Sequence, residues 1–261
     1  MISVCMATYN GARFIKQQID SVLSQLSEND ELIISDDGSS DGTLEIVESY
    51  NDKRITILNH QKNIQTGMYC NFRYVTENFE NALGQVRGDY IFLSDQDDVW
   101  MPNKVGRCME LLEQYDCIVH NYQIIDIENN IVRQQGFNKD PLHKSVIANI
   151  MDNHFRGCCM AFKRGMLRYA LPIPKNVIGH DYWIGTLAAY YGNVYYEIEP
   201  LIQSRRYSQS VSADKKTSIL YKIKYRIDLM IAVLKRIIEN NSKNPDGFSK
   251  RLKTNKLHFV K

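Results

Sequence analysis

Three times in its first hundred residues the chain runs through a short apolar segment and breaks at a polar turn. Ile2-Ser3-Val4-Cys5-Met6-Ala7 stops at Thr8-Tyr9-Asn10-Gly11, Glu31-Leu32-Ile33-Ile34-Ser35 runs into Asp36-Asp37-Gly38, and Tyr90-Ile91-Phe92-Leu93 leads to Asp95, Asp97 and Asp98. Apolar-rich runs of this length bounded by turn formers read as buried strands. Between them the apolar period changes to that of a helix, with Phe14, Ile15, Ile19, Val22, Leu23 and Leu26 on one face, a strand at Ile55-Thr56-Ile57-Leu58, and a helical stretch from Gly67 to Leu83. Strand and helix alternate, which predicts an α/β fold with a Rossmann-like, mostly parallel central sheet flanked by helices. Ligands of such sheets bind beyond the carboxyl ends of the strands, so the Tyr9 loop, the Asp37 turn and the Asp95 cluster are expected to converge on one crevice.

The third turn is the most demanding chemically. Carboxylates at Asp95, Asp97 and Asp98 repel one another and raise each other's pKa unless a divalent cation or a basic neighbour offsets them. A metal site is the leading reading, and a solvated acidic turn is the alternative.

Taken in order, Ala7-Thr8-Tyr9-Asn10-Gly11, Ser35-Asp36-Asp37-Gly38-Ser39-Ser40-Asp41-Gly42-Thr43 and Ser94-Asp95-Gln96-Asp97-Asp98-Val99-Trp100 resemble a family two glycosyltransferase of the GT-A fold. Two later segments extend the resemblance over roughly residues 2 to 212, namely Gly157-Cys158-Cys159-Met160-Ala161-Phe162 and His180-Asp181-Tyr182-Trp183. The Asp-Gln-Asp-Asp-Val-Trp form is most similar to that of bacterial rhamnosyltransferases.

The resemblance implies an inverting glycosyltransferase that moves a sugar from a nucleotide diphosphate-sugar, a UDP- or dTDP-sugar, to a hydroxyl of a glycan acceptor in cell-surface polysaccharide synthesis. It implies a divalent metal, Mn2+ or Mg2+, on Asp97 and Asp95, which stabilises the charge of the diphosphate leaving group. Ala7, Tyr9, Asp37, Lys62, Asp95, Gln96 and Arg205 would bind the donor, with Tyr9 on a pyrimidine and Asp37 accepting its imide N–H. Asp98 would support the metal or contact the donor sugar, and Lys62 or Arg73 would meet the diphosphate or base. Gly157, Cys158, His180 and Trp183 would line the acceptor pocket. Asp181 would be the general base, since a single displacement needs a carboxylate at the acceptor hydroxyl. From the residues alone Asp181 reads first as a helix N-cap with Trp183 in the core, and the alternative readings are a loop aromatic covering the sheet edge for Tyr9 and turn formers or helix caps for Asp36 and Asp41. Family members commonly carry a histidine in the metal shell where this chain has Tyr207, and a neutral phenol is a weak ligand.

At 261 residues and 44% hydrophobic the chain suffices for one large α/β domain. The expected organisation is a GT-A domain over residues 1–214, with a donor half to residue 100 and an acceptor half after it, followed by a tail over residues 215–261. The formal charge of +2 conceals an asymmetry: the tail holds 13 Lys/Arg against 3 Asp/Glu, and the rest 19 against 27. Within the tail Ile219, Leu220, Ile223, Ile227, Met230, Ile231, Leu234, Ile237 and Ile238 recur at helical spacing among lysines and arginines, an amphipathic basic helix suited to an anionic membrane surface, to the body of the protein or to a dimer contact. No nucleic-acid module accompanies it, so nucleic acid is not an expected partner. Neither an 18-residue apolar run nor a signal-peptide pattern is present. The expected setting is cytoplasmic, peripheral on the cytoplasmic face of the inner membrane, with a lipid-linked acceptor. A metal-dependent phosphoryl-transfer enzyme using the same aspartates, or a non-catalytic nucleotide-sugar binding module, are the other readings. The six cysteines form no Cys-x-x-Cys pair and read as buried thiols.

Overall fold

The computed structural model describes residues 1–61, 70–143, 145–207 and 218–243, with the side chains of residues 70–72 and 243 left out. Its first half is the predicted alternation. β1 (Ile2–Thr8), α1 (Ile15–Leu23), β2 (Glu31–Asp36), α2 (Thr43–Ser49), β3 (Ile55–Asn59), α3 (Cys70–Leu83) and β4 (Tyr90–Ser94) follow in order. β5 (Val99–Trp100) and α4 (Lys104–Leu112) come directly after the acidic turn. The second half contains β6 (Cys117–Ile125), β7 (Ile131–Arg133), α5 (Val146–Met151), a 3-10 turn at Gly157–Cys159, β8 (Met160–Lys163), α6 (Leu167–Ala170), α7 (His180–Tyr191), β9 (Val194–Arg205) and α8 (Ile219–Lys243).

The strands form one sheet in the order β3-β2-β1-β4-β8-β6-β9-β5, with β7 paired to β6 at the side. The four strands of the first half are parallel, so their carboxyl ends share an edge: Thr8 lies beside Asp36, and Met6 beside Ser94. Six of the seven residues of β1 and all six of β2 are buried, which requires cover on both faces of the sheet. β8 is antiparallel to both β4 and β6, and thereby joins the two halves. β9 then runs parallel to β6 and antiparallel to β5 (Val99 opposite Gln203), returning the chain to the residues just after the acidic turn.

Helix α7 is fixed from both sides. Its approach is held by α3, where Thr76 Oγ1 accepts from Gly179 N at 2.9 Å and the buried Arg73 donates to the carbonyls of Pro174 (2.9 Å) and Val177 (3.1 Å). Arg73 also pairs with Glu77 at 2.8 Å. It is therefore an anchor between α3 and the approach to α7 and not a diphosphate ligand. Further along, Gly185 meets the face of the buried Phe155 ring, closer than any carbon side chain allows.

That contact makes a paired prediction. Gly185→Ala should lower the unfolding free energy by about 1–3 kcal/mol through overpacking. Gly106→Ala in α4, where nothing lies near an added Cβ, should raise it by up to about 1 kcal/mol through helix propensity. Urea denaturation of the two variants checks both signs, and a stabilised Gly185→Ala would contradict the packing.

Candidate active site

The three loops at the parallel strand ends are tied together by their own polar groups. Gln96 Oε1 accepts from Tyr9 N at 2.9 Å and Gln96 Nε2 donates to Tyr9 O at 3.1 Å, joining the β1 and β4 loops. Asn10 N donates to Ser39 Oγ (2.8 Å) and Ser40 N to Asn10 Oδ1 (2.9 Å), joining the β1 and β2 loops. Tyr9 itself stays 48% exposed at the rim, and Ala7 closes the strand below it, opposite Ser35. Asp36 accepts from Thr8 Oγ1, Gly38 N and Ser39 Oγ, while Asp41 accepts from Ala12 N and Thr43 N, so both are turn builders. Asp37 is buried and paired with His60 Nδ1, a partner with no signal in the sequence. Lys62, with Asn63 and Gly67, lies outside the described residues.

The acidic turn is crowded. Burial, then Asp98, then Asp97 push Asp95 well above the usual carboxylate range. Burial and Asp98 raise Asp97 to about 6, against the opposing pull of Tyr207 and Arg205. Asp98 is raised as well, chiefly by burial. One of its oxygens accepts from Arg205 N at 3.0 Å; the other is buried and accepts nothing from nitrogen or oxygen, having only the weakly donating Cys158 thiol near it. Donor atoms of Asp95, Asp98 and Cys158 lie within 4.8 Å of one another. Carboxylates forced together, short of charge compensation, with a buried oxygen lacking a strong donor, are what a hard divalent cation satisfies.

Tyr207 donates to Asp97 Oδ2 at 2.8 Å. The residue that replaces the expected histidine therefore does reach the acidic turn, as a hydrogen-bond donor. Two basic side chains absent from the motifs also act here. Arg156, stacked 4.3 Å over Tyr122, lowers both Asp95 and Asp98. The fully buried Lys104 donates to Cys158 O at 2.8 Å and stands 4.1 Å from the Trp100 ring, beneath the cluster.

From the second half, Asp181 arrives in the first turn of α7. It is not the N-cap, which is Gly179. Asp181 Oδ2 accepts from Gly157 N at 3.1 Å, Oδ1 accepts from Tyr182 N at 2.9 Å, and its charge is among those raising Asp95. Gly157 allows this approach, since a Cβ there would stand 2.7 Å from His180 Nε2.

Five of the expected ligands have their contacts within the protein itself. Trp183 is fully buried and donates to Ala170 O at 2.7 Å, a core residue that an acceptor does not reach. His180 is buried against Phe79, centroids 3.7 Å apart, and burial keeps its imidazole below its usual pKa. Gln96 is committed to the Tyr9 backbone. The Arg205 guanidinium is held by Asp97 O (3.0 Å), Asp126 O (2.8 Å), Gln17 Oε1 (2.9 Å) and Asn129 Oδ1 (2.8 Å) and lies 4.5 Å over Phe14. Through these bonds it braces the acidic turn. Cys158 is buried at the back of the acidic turn, next to Gly157.

Comparison with known proteins agrees with this geometry. The sequence pattern of glycosyl transferase family 2 matches residues 3–171. An uncharacterised glycosyltransferase of Rickettsia typhi is 28% identical over 219 residues, 78% of this chain and 64% of its own length. The dTDP-rhamnosyl transferase RfbG of Shigella flexneri is 27% identical over 234 residues, covering 83% of this chain and 71% of RfbG. The chain spans just under two thirds of the Rickettsia typhi relative and 35% of a longer one from Rickettsia felis. Among solved structures, TarS of S. aureus in complex with UDP-GlcNAc superposes with a TM-score of 0.65 at 15% identity, over 93% of this chain and 74% of TarS. Glucosyl-3-phosphoglycerate synthase of Mycobacterium tuberculosis with Mn2+ and UDP gives 0.56 at 18% identity, over 90% and 78%. The expected GT-A architecture is thus the one observed. With that fold, and with the family's sequence pattern running from the first strand past the Gly157 turn, the chain belongs to glycosyl transferase family 2.

Proposed function

We propose that the chain transfers a sugar from a pyrimidine nucleotide diphosphate-sugar to a hydroxyl of a lipid-linked glycan acceptor by a single, inverting displacement. One observation carries this reading: Asp181, a carboxylate from α7, lies close enough to the separate carboxylate cluster of the acidic turn for its charge to raise Asp95, while the amide of Gly157, the neighbour of Cys158 in that cluster, holds it. The two positions suit different tasks. Asp95, Asp97 and Asp98 concentrate negative charge where an oxyanionic leaving group would otherwise be repelled, so they are suited to hold Mn2+ or Mg2+. When bound, the cation supplies electrostatic stabilisation of the departing diphosphate.

The remaining steps belong to the chain itself. Tyr9 offers an exposed ring at the rim for a pyrimidine, and Asp37 an acceptor below it. His60 orients the Asp37 carboxylate. Asp181, held by the Gly157 and Tyr182 amides, takes the proton from the acceptor hydroxyl as that oxygen attacks the anomeric carbon. Tyr207 and Arg205 fix the conformation of the acidic turn. A pyrimidine donor is supported by the UDP-GlcNAc bound to TarS and by the dTDP-rhamnose implied in the name of RfbG. A lipid-linked acceptor is supported by an Escherichia coli relative, 30% identical over 141 residues, that is named for a diphosphoundecaprenol-linked acceptor.

Release of nucleoside diphosphate from UDP- and dTDP-sugars in the presence of acceptor tests the reading. Free phosphate without acceptor would instead indicate phosphoryl transfer, and donor binding without turnover a binding module. Asp181→Asn should reduce transfer by roughly 100-fold or more with donor affinity nearly unchanged. A turnover equal to that of the native protein would remove Asp181 as base.

Metal binding carries its own pH signature. The pKa of Asp97 is raised to about 6, so a proton competes with the cation below that pH. Mn2+ affinity, measured by calorimetry, should fall as pH is lowered through about 6, by up to about tenfold per pH unit for each carboxylate that takes up a proton. Linkage gives the matching sign for stability: a raised carboxyl pKa makes this group's contribution to folding decline as pH rises from about 4 to about 6. Added Mn2+ should therefore raise the melting temperature more at pH 7 than at pH 5. Equal donor affinity in EDTA and in Mn2+ would refute the metal bridge.

A further inference from the structure

Helix α8 is apolar on two opposite faces. The inner face is buried on the body through Leu229, Ala232 and Val233, with Arg236 donating to Tyr169 O at 2.6 Å and standing 5.1 Å over the Trp183 ring. The outer face carries Leu220, Ile223, Ile227, Ile231, Leu234 and Ile238, which are 42–77% exposed. Their spacing of three and four residues aligns them along about 27 Å of helix. A continuous aliphatic stripe of this length on an otherwise docked helix is an interaction surface.

Charge identifies the occupant. Lys224, which pairs with Asp228 at 2.8 Å, and Lys235 are exposed along one margin of the stripe. Residues 215–261 as a whole carry 13 Lys/Arg against 3 Asp/Glu, whereas residues 1–214 carry 19 against 27. Two copies paired through this face would bring two such basic segments together, while an anionic lipid surface would neutralise them. No helix among the described residues is long and apolar enough to cross a membrane.

We propose that the outer face of α8 lies on an anionic phospholipid surface, with the aliphatic stripe entering the acyl boundary and the marginal lysines reaching the phosphates. Its bearing on catalysis rests on the function proposed above. Tyr225 of α8 packs against Tyr182, ring centroids 5.7 Å apart, and Tyr182 follows Asp181 directly. A membrane seated under α8 therefore lies near the base, on the side from which a lipid-linked acceptor would enter.

Co-sedimentation of the full-length protein with vesicles, carried out without any nucleotide-sugar, tests the surface independently of the enzymatic reading. Phosphatidylglycerol-containing vesicles should pellet the protein at least about tenfold more effectively than phosphatidylcholine alone, less so as salt is raised. Ile227→Asn/Ile231→Asn/Leu234→Asn should lose that binding by at least about tenfold with an unchanged melting temperature and unchanged turnover of a short soluble acceptor. Lys224→Glu/Lys235→Glu, which leaves the stripe intact, should abolish the preference for anionic lipid. Native protein remaining in the supernatant at low salt would overturn the proposal. So would light scattering that shows a dimer dissociated by the triple substitution, because the stripe would then belong to a second copy.

Discussion

Three carboxylates in four positions at the end of a buried strand are the constraint around which the rest of this molecule is arranged. Burial raises the pKa of all three, Asp98 raises Asp95 and Asp97 further, and Asp97 adds to the rise at Asp95. A chain carrying this cluster on β4 alone would relieve it by rotating the turn into solvent. β9 prevents that. It pairs with β5 immediately after the aspartates, and it ends in Arg205, whose backbone amide binds Asp98 and whose guanidinium binds the carbonyl of Asp97. Tyr207, two residues on, holds the remaining carboxylate in place. Contacts made more than a hundred residues away thus hold the crowded turn in place.

A consequence is that basic side chains near a proposed anionic ligand need not touch it. Arg205, Arg156 and Lys104 are each tied to backbone carbonyls or aromatic rings of the protein, and they act on the cluster as fixed charges behind it. Arg205 shows why type and position mislead. It stands where a phosphate ligand is expected, yet its guanidinium is engaged by carbonyl and amide oxygens of the protein itself. Gln96 is the same case in miniature, a polar residue inside the most diagnostic motif that serves to join two loops.

Much of the architecture was readable because strand ends announce themselves chemically. Ile2–Ala7, Glu31–Ser35 and Tyr90–Leu93 are apolar where the sheet is covered on both faces and turn polar within one residue of the crevice, so both the elements and their common edge follow from pattern. Asp181 was readable only through the resemblance, since a carboxylate at the start of a helix is ordinarily a cap. What distinguishes it is Gly157, 24 residues earlier, whose amide donates to its carboxylate. Arg156, Lys104 and His60 left no signal, because each is recognised by its partners and those are assembled by tertiary structure alone. Trp183 and His180 were drawn into the site by adjacency to Asp181, yet on a helix the residue before and the residue two after project to other sides, here into the core.

Helix α8 adds a limit of a different kind. Apolar periodicity shows that a helix has a face to bury but not how many faces, and in this helix the regular stripe and the docked surface are distinct. Of the nine aliphatic positions that set the period, Leu220, Ile223, Ile227, Ile231, Leu234 and Ile238 point outward, and the body is gripped by Leu229, Ala232, Val233 and Arg236. Small residues at 232 and 233 let the backbone approach the body closely, so a weak sequence signal makes the intimate contact. The strong signal is left on the surface. An amphipathic helix pinned by its less hydrophobic side, next to the tyrosine that follows Asp181, places whatever covers its outer side near the proposed base. On the lipid surface proposed for α8, the body's net negative charge would act in the same direction, being repelled where the tail is attracted, and that opposition would orient the protein with α8 toward the lipid.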